Sequence, residues 1–192
     1  MNLTINGEPL SREAVEKEYQ RLLKTLGSRL APEELARRSR GLQRQALDYA
    51  IGRLLLLNEA RRREIRVTPE EIEHSIREIT EGCGGETGFQ AHLEKLKISP
   101  ADLRRQLLAA RQTEQLIEQI TSASPAPAEQ EIDGYLKDHL HKFIGEDTAL
   151  EAPPPPAMIR EQARRLLTTA SKNNALSAFI TELKKSAVIK ES

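Results

Sequence analysis

The run LQRQALDYAIGRLLLLNEARRREIRVTPEEIEHSIREI at residues 42–79 limits the possible folds more than any other stretch. In its first half, Leu42, Ala46, Ala50, Leu54 and Leu57 recur at three- and four-residue intervals, and Leu47, Ile51 and Leu55 widen the stripe. That period puts them on one side of a helix. Arg61, Arg62 and Arg63 follow, cations favoured at the negative end of a helix dipole. The second half restarts sharply. Thr68 suits an N-cap, Pro69 the first helical position, and Glu71 completes a capping box. Val67 and Ile72 stand where a hydrophobic staple packs, and Ile72, Ile76 and Ile79 continue as one stripe. A long buried helix, a tight turn and a second amphipathic helix give a hairpin against which other helices can pack.

The flanking sequence supplies those helices. Leu3, Thr4 and Ile5 read as a short strand before an Asn6-Gly7 turn. Ser11 caps a helix whose apolar side is Val15, Tyr19, Leu22, Leu23 and Leu26, and Gly27 can end it. Pro32, Glu33 and Glu34 open the long helix, which Gly41 either kinks or truly begins. Beyond Ile79, Gly82-Cys83-Gly84-Gly85 is a break, and Thr87 with Gln90 forms a candidate capping box for a short helix bearing Phe89, Leu93 and Leu96. Ser99, Pro100 and Asp102 start another, with Leu103, Leu107, Ala110, Ile117 and Ile120 along it. TSASPAPA at 121–128 reads as a linker, and Ile132, Tyr135, Leu136 and Leu140 as a short helix ending near Phe143. Pro153, Pro154, Pro155 and Pro156 favour a stiff extended segment, read as a spacer in preference to an SH3 or WW ligand. A last long helix carries Ile159 to Leu183, and Ala187, Val188 and Ile189 look like a terminal strand.

Composition narrows the function classes. Lys plus Arg equals Asp plus Glu at 29 each, which argues against nucleic acid or an anionic membrane as a partner bound by bulk charge. No apolar run reaches the length of a membrane span. Cys83 is the one cysteine, so an intramolecular disulfide and a multi-cysteine zinc site are both excluded. His74 is in register with neither Ile72 nor Ile76, His92 lies beside the Phe89–Leu93 stripe, and His139 and His141 are two apart and share no helix face, so all four read as surface or helix-end residues. The glycines around Cys83 lack the Gly-Lys-Ser/Thr of a phosphate loop. Arg37, Arg38, Arg40 and Arg44 read as a solvated helix face. Catalytic, cofactor-binding and metal-ligating residues are therefore expected to be none.

An ordered set of segments then carries a resemblance. NGEPLSREAVEKEY after a strand, ALDYAIGRLLLLNEARRREIRVTPEEIEHSIREI, GFQAHLEKLKISPADLRRQLLAARQTEQLI, EQEIDGYLKDHLHKF and IREQARRLLTTASKNNALSAFITELKKSAVIK are similar, in that order, to the SurA-type chaperones of the parvulin-related family. In the best-known relatives an isomerase domain separates the last two helical segments. Here that interval is residues 144–157, fourteen residues, against the ~50 a domain needs. The resemblance therefore implies a chaperone core without the prolyl isomerase domain.

The expectation is an all-α fold of six or seven helices, with a minor two-strand pairing of the chain ends. Its parts are a SurA-like helical domain at 1–143, a Pro-rich linker at 144–157 in place of the isomerase, and a helix and strand at 158–192 packing back on the first domain. The resemblance implies an ATP-independent holdase for apolar segments of unfolded polypeptides, with no cofactor, nucleic acid or membrane insertion. Phe89, Leu93, Leu96 and Met158 are the expected client-binding residues: the first three lie on a short, weakly anchored helix, and a thioether suits adaptable surfaces. Two alternatives stand beside this, a prolyl isomerase family member with residual or partner-supplied activity and a helical assembly module with one dedicated partner. A homodimer swapping the C-terminal helix is the oligomer such an arrangement would permit. The N-terminus lacks a secretory pattern, which points to the cytoplasm as the sequence stands and to the periplasm if Met1 is a trimmed start.

Overall fold

The computed structural model describes residues 3–28, 30–144 and 155–191. It divides into two compact units, one of residues 1–116 with 180–192 and one of residues 117–179.

A small sheet joins the two sequence ends within the first unit. Strands β1 (Leu3–Ile5) and β2 (Glu8–Leu10) form a hairpin in which Leu3 faces Leu10 and Ile5 faces Glu8. Asn6 and Gly7 turn it with φ of 52° and 85°, the left-handed pair that a two-residue hairpin turn requires. Strand β3 (Ile189–Glu191) pairs antiparallel on the other side of β1, giving the order β2-β1-β3. Ile5 is fully buried. The expected pairing of the chain ends is present as β1 with β3, and two details differ. The sheet has three strands, because β2 is too short and polar for alternation to announce it. The terminal strand also begins two residues later than Ala187. Asn6 explains the shift: its N–H donates to the Val188 carbonyl at 2.8 Å, and its Oδ1 accepts from the Val188 N–H at 2.8 Å. Val188 is thus bound to the turn, and the ladder starts at Ile189.

Helix α1 (Arg12–Gly27) begins where the Ser11 hydroxyl accepts from the Ala14 N–H at 3.1 Å. Helix α2 (Pro32–Arg62) runs unbroken through Gly41, so its start is Pro32. Leu42, Ala46, Ala50, Leu55, Leu56 and Ala60 on α2 are buried and form the central part of the core. Leu54 and Leu57, read as members of the same stripe, are half-buried instead. Gly52 permits a close approach: a Cβ there would meet Cγ2 of Ile180 at 3.2 Å. The end of α2 carries more than dipole-favoured cations. Glu59 is buried, takes two hydrogen bonds from Arg62 at 2.7 and 2.8 Å and takes another from Arg63 at 2.6 Å. Arg61 reaches Glu8 on β2 at 3.1 Å and ties helix to sheet.

Helix α3 (Pro69–Gly82) opens with the expected capping box. The Thr68 hydroxyl accepts from the Glu71 N–H at 3.3 Å, and the Thr68 N–H donates to the Glu71 carboxylate at 2.7 Å. Helix α4 (Glu86–Leu96) does not use Thr87 and Gln90 as a cap. Gly84 and Gly85, with φ of 82° and 100°, turn the chain earlier, so Thr87 already lies inside the helix and Gln90 donates to Glu86 at 2.7 Å. Helix α5 (Pro100–Ser122) starts on the reciprocal pair Ser99–Asp102, whose two backbone-to-side-chain bonds are both 3.1 Å. Its polar side is stitched to the α3 hairpin. Arg104 pairs with Glu73, Arg111 donates to the buried Ser75 at 3.0 Å, Gln112 to the Ile65 carbonyl at 3.0 Å, and Gln115 to Glu71 at 3.2 Å. Four polar ties along one face fix the rotation of α5 and hence the direction of its leucines.

In the second unit, α6 (Glu129–His139) is capped by the Glu131 carboxylate accepting from the Ala128 N–H at 2.7 Å, and a short α7 (His141–Ile144) follows. Helix α8 (Pro156–Ser186) contributes to both units. Ile132, Ile159 and Ala163 are the buried residues of this unit among those described. Arg160 pairs with Asp133 and Glu129, and Arg164 with Glu129 at 2.6 Å, so α6 and α8 are also joined by charge. The Pro-rich interval at 144–157 falls largely on residues 145–154, outside the described residues; Pro156 opens α8.

Candidate functional site

The four residues expected to bind clients lie in different environments. Phe89 and Leu93 turn inward from α4 and are 6% and 3% exposed. Leu96, one turn beyond, is 51% exposed. Met158, on α8 in the second unit, is 63% exposed. The stripe of α4 thus closes over the core at its first two positions and opens only at its C-terminal turn, where Lys97 ends the helix with φ of 55°. Among the described residues no group of three His, Cys, Asp or Glu side chains is placed to hold a metal.

Another opening lies elsewhere, where α1, α2 and α5 meet beside β2. It is an open cleft of about 620 Å³, lined in part by Leu54 and Leu57 of α2 and by Leu103 and Leu107 of α5. All four leucines are half-buried. Helix α1 contributes Glu13, Lys17, Glu18 and Arg21 beside Ala14, and α2 adds Arg53. Lys17 pairs with Glu13 at 2.8 Å. Glu18 is buried and receives Arg53 on one carboxylate oxygen at 3.2 Å and Arg21 on the other at 3.5 Å. The stretch of α1 from Glu13 to Arg21 covers nine residues, a rise of about 12 Å, room for about four residues of extended chain. Chemically the cleft offers apolar contact beside charged side chains that are already paired with one another, and it is open to solvent.

Periodicity missed this cleft because the leucines that line it satisfy the same stripe as the leucines of the core. One signal was present. LLLL at 54–57 puts apolar residues around more than half of a helical turn, too wide for a helix that packs on a single side.

The fold and the cleft define a class, a helical domain closed by a small sheet of both chain ends and opened by a leucine-lined trough. Residues 3–119 match the SurA-like N-terminal domain, and the chain belongs to that family. It is 30% identical over 138 residues to a Chaperone SurA of Thiobacillus denitrificans, a match covering 69% of this chain and 30% of the relative. The chain thus corresponds to about a third of that relative's length. Its fold is also similar to a solved chain from Campylobacter jejuni, where the virulence factor PEB4 and the periplasmic protein Cj1289 are two structurally related SurA-like chaperones. That likeness covers 99% of this chain and 98% of the other with a TM-score of 0.61 at 11% identity, and it is a likeness of fold. The matched family domain is the N-terminal one and not a parvulin catalytic domain.

Proposed function

We propose that this chain is an ATP-independent holdase and that the cleft between α1, α2 and α5 receives extended, apolar-rich segments of unfolded polypeptides. The observation that carries the reading is the set of half-buried Leu54, Leu57, Leu103 and Leu107 facing one open trough in a SurA-like domain. Covering a few hundred Å² of apolar surface would gain several kcal/mol at about 25 cal/mol per Å². Ordering the client gives much of that back. A net affinity near micromolar, about −8 kcal/mol, lets a client leave without a nucleotide cycle. The charged side chains of the lining keep the cleft hydrated when empty and discourage pairing of one chaperone with another. Leu96 is proposed as a secondary contact from α4, and Met158 as one on the second unit; Phe89 and Leu93 hold α4 in place. On this reading residues 1–143 and 158–192 make up the chaperone core, residues 144–157 stand in the sequence where relatives carry an isomerase, and the chain itself is not an enzyme.

The test is suppression of light scattering as a denaturant-unfolded model protein is diluted into increasing amounts of this chain. Suppression at a few-fold excess is expected; none at tenfold excess would sink the holdase reading. A proline-peptide isomerisation assay runs alongside, and an accelerated rate that tracks the chain through purification would restore the enzymatic alternative. A dedicated assembly module would ignore a panel of unrelated unfolded proteins, whereas a holdase should slow the aggregation of most of them.

A further inference from the structure

We propose that the cleft prefers apolar client segments that carry a side-chain carboxylate, and that Arg53, seconded by Arg21, is the residue that reads it. The inference rests on the cleft being the client site and adds a chemical class to what it takes. Five ionisable residues line the cleft, three cations (Lys17, Arg21 and Arg53) against two carboxylates (Glu13 and Glu18). In a chain whose total charges balance at 29 each, this is a local positive surplus. Its location is defined by the pairing. Lys17 and Glu13 satisfy each other at 2.8 Å, one turn apart on α1. The remaining carboxylate, Glu18, is shared by two guanidinium groups.

The sharing leaves both arginines with capacity. A guanidinium has five N–H donors and favours two parallel bonds to one carboxylate. Arg53 and Arg21 each approach Glu18 through a single Nη1, at 3.2 and 3.5 Å, the long end of the hydrogen-bond range. Their side chains are 54% and 65% exposed, while that of Glu18 is 10% exposed. Glu18 is therefore a positioning residue, a buried anchor that holds two exposed cationic forks at the cleft. The same segment of α2 carries Leu54 next to Arg53 and Leu57 one turn on, both lining the cleft. A client lying there would meet apolar surface and a guanidinium within one helical turn. An aspartate or glutamate in it gains a partner, an amide gains less, and a lysine meets three cations. Affinity for carboxylates with exclusion of cations makes the cleft selective and not merely greasy.

The experiment uses the full chain and three labelled peptides, acetylated and amidated so that no terminal carboxylate competes. They share one leucine-rich extended sequence and differ at a single central residue, Asp, Asn or Lys. Fluorescence anisotropy is expected to show the Asp peptide binding about threefold tighter than the Asn peptide, with the Lys peptide weakest. Raising the salt from about 0.05 to 0.5 M should shrink the Asp–Asn ratio towards one. Arg53→Gln should remove the ratio, and Arg21→Gln should reduce it. Equal binding of the three peptides by the wild-type chain, or tightest binding of the Lys peptide, overturns the preference and leaves the holdase reading standing. Absence of binding by all three, together with absence of aggregation suppression, overturns both. The peptide and salt series require no variant, so poor folding of Arg53→Gln would not rescue the idea.

Discussion

Glu59 shows how a single side chain can set the acid tolerance of the helical hairpin. Its carboxyl is held at about 2, against an ordinary value of 4.5, first by the hydrogen bonds from Arg62 and then by the one from Arg63, and burial opposes them. The folded state therefore favours the charged form. The stability this contributes is complete above pH 4.5 and is lost as the pH falls towards 2. Glu59→Gln should melt lower than the wild type at pH 6, and the gap between the two should close between pH 4.5 and 2. Comparison with the variant cancels the carboxylates common to both, among them Asp102, held at about 2 by Ser99 and then Arg105. Melting by circular dichroism across pH 2–6 is the measurement, and a gap that stays constant would mean that Glu59 contributes through packing alone. In the sequence, Arg61, Arg62 and Arg63 were legible only as cations at a helix end. Glutamate and arginine three or four apart occur all over this chain's surfaces, and the spacing does not say which pair is buried.

At the scale of elements, the local signals were readable and the lateral ones were not. Thr68–Glu71 and Ser99–Asp102 open α3 and α5 as their residues require, because a capping box involves only four consecutive positions. Thr87–Gln90 has similar chemistry and failed, since two left-handed glycines upstream set the helix start first. Burial is a lateral property and depends on neighbours the pattern does not name. Leu54 and Leu57 line the cleft, while Leu55 and Leu56 between them are 3% and 5% exposed. This difference predicts two separable phenotypes. Leu55→Ala should cost about 2–5 kcal/mol in urea unfolding, the range for a deleted core leucine. Leu57→Ser and Leu107→Ser should cost less than half of that and yet lower aggregation suppression several-fold when the folded variants are compared. If the serine variants lose stability as Leu55→Ala does and suppress aggregation as the wild type does, the cleft leucines are core and the clients bind elsewhere.

For the whole molecule, the first unit is built from both ends of the sequence. Ile180 packs near Gly52 on α2, Lys184 pairs with Asp48 at 2.6 Å, and β3 completes the sheet against β1. The strand-like character of both ends was legible; that a third strand would stand between turn and helix was not, because Glu8-Pro9-Leu10 has no alternation to read. A chain ending at residue 157 would lose all three of these contacts. It should aggregate, or melt about 10 °C or more below the full chain. Unchanged melting of a soluble truncation, followed by circular dichroism, would make the removed segment an independent arm. The pairing of Thr4 with Lys190, 186 positions apart, also sets a timetable. A ribosome delivers β3 about 10–40 s after β1 at ordinary synthesis rates. Throughout that interval the edge of β1 that will receive β3 has no partner from its own chain, and contacts between such distant residues are among the slowest to form. While it is being made, the proposed holder of unfolded segments is itself an incomplete chain with an open strand edge.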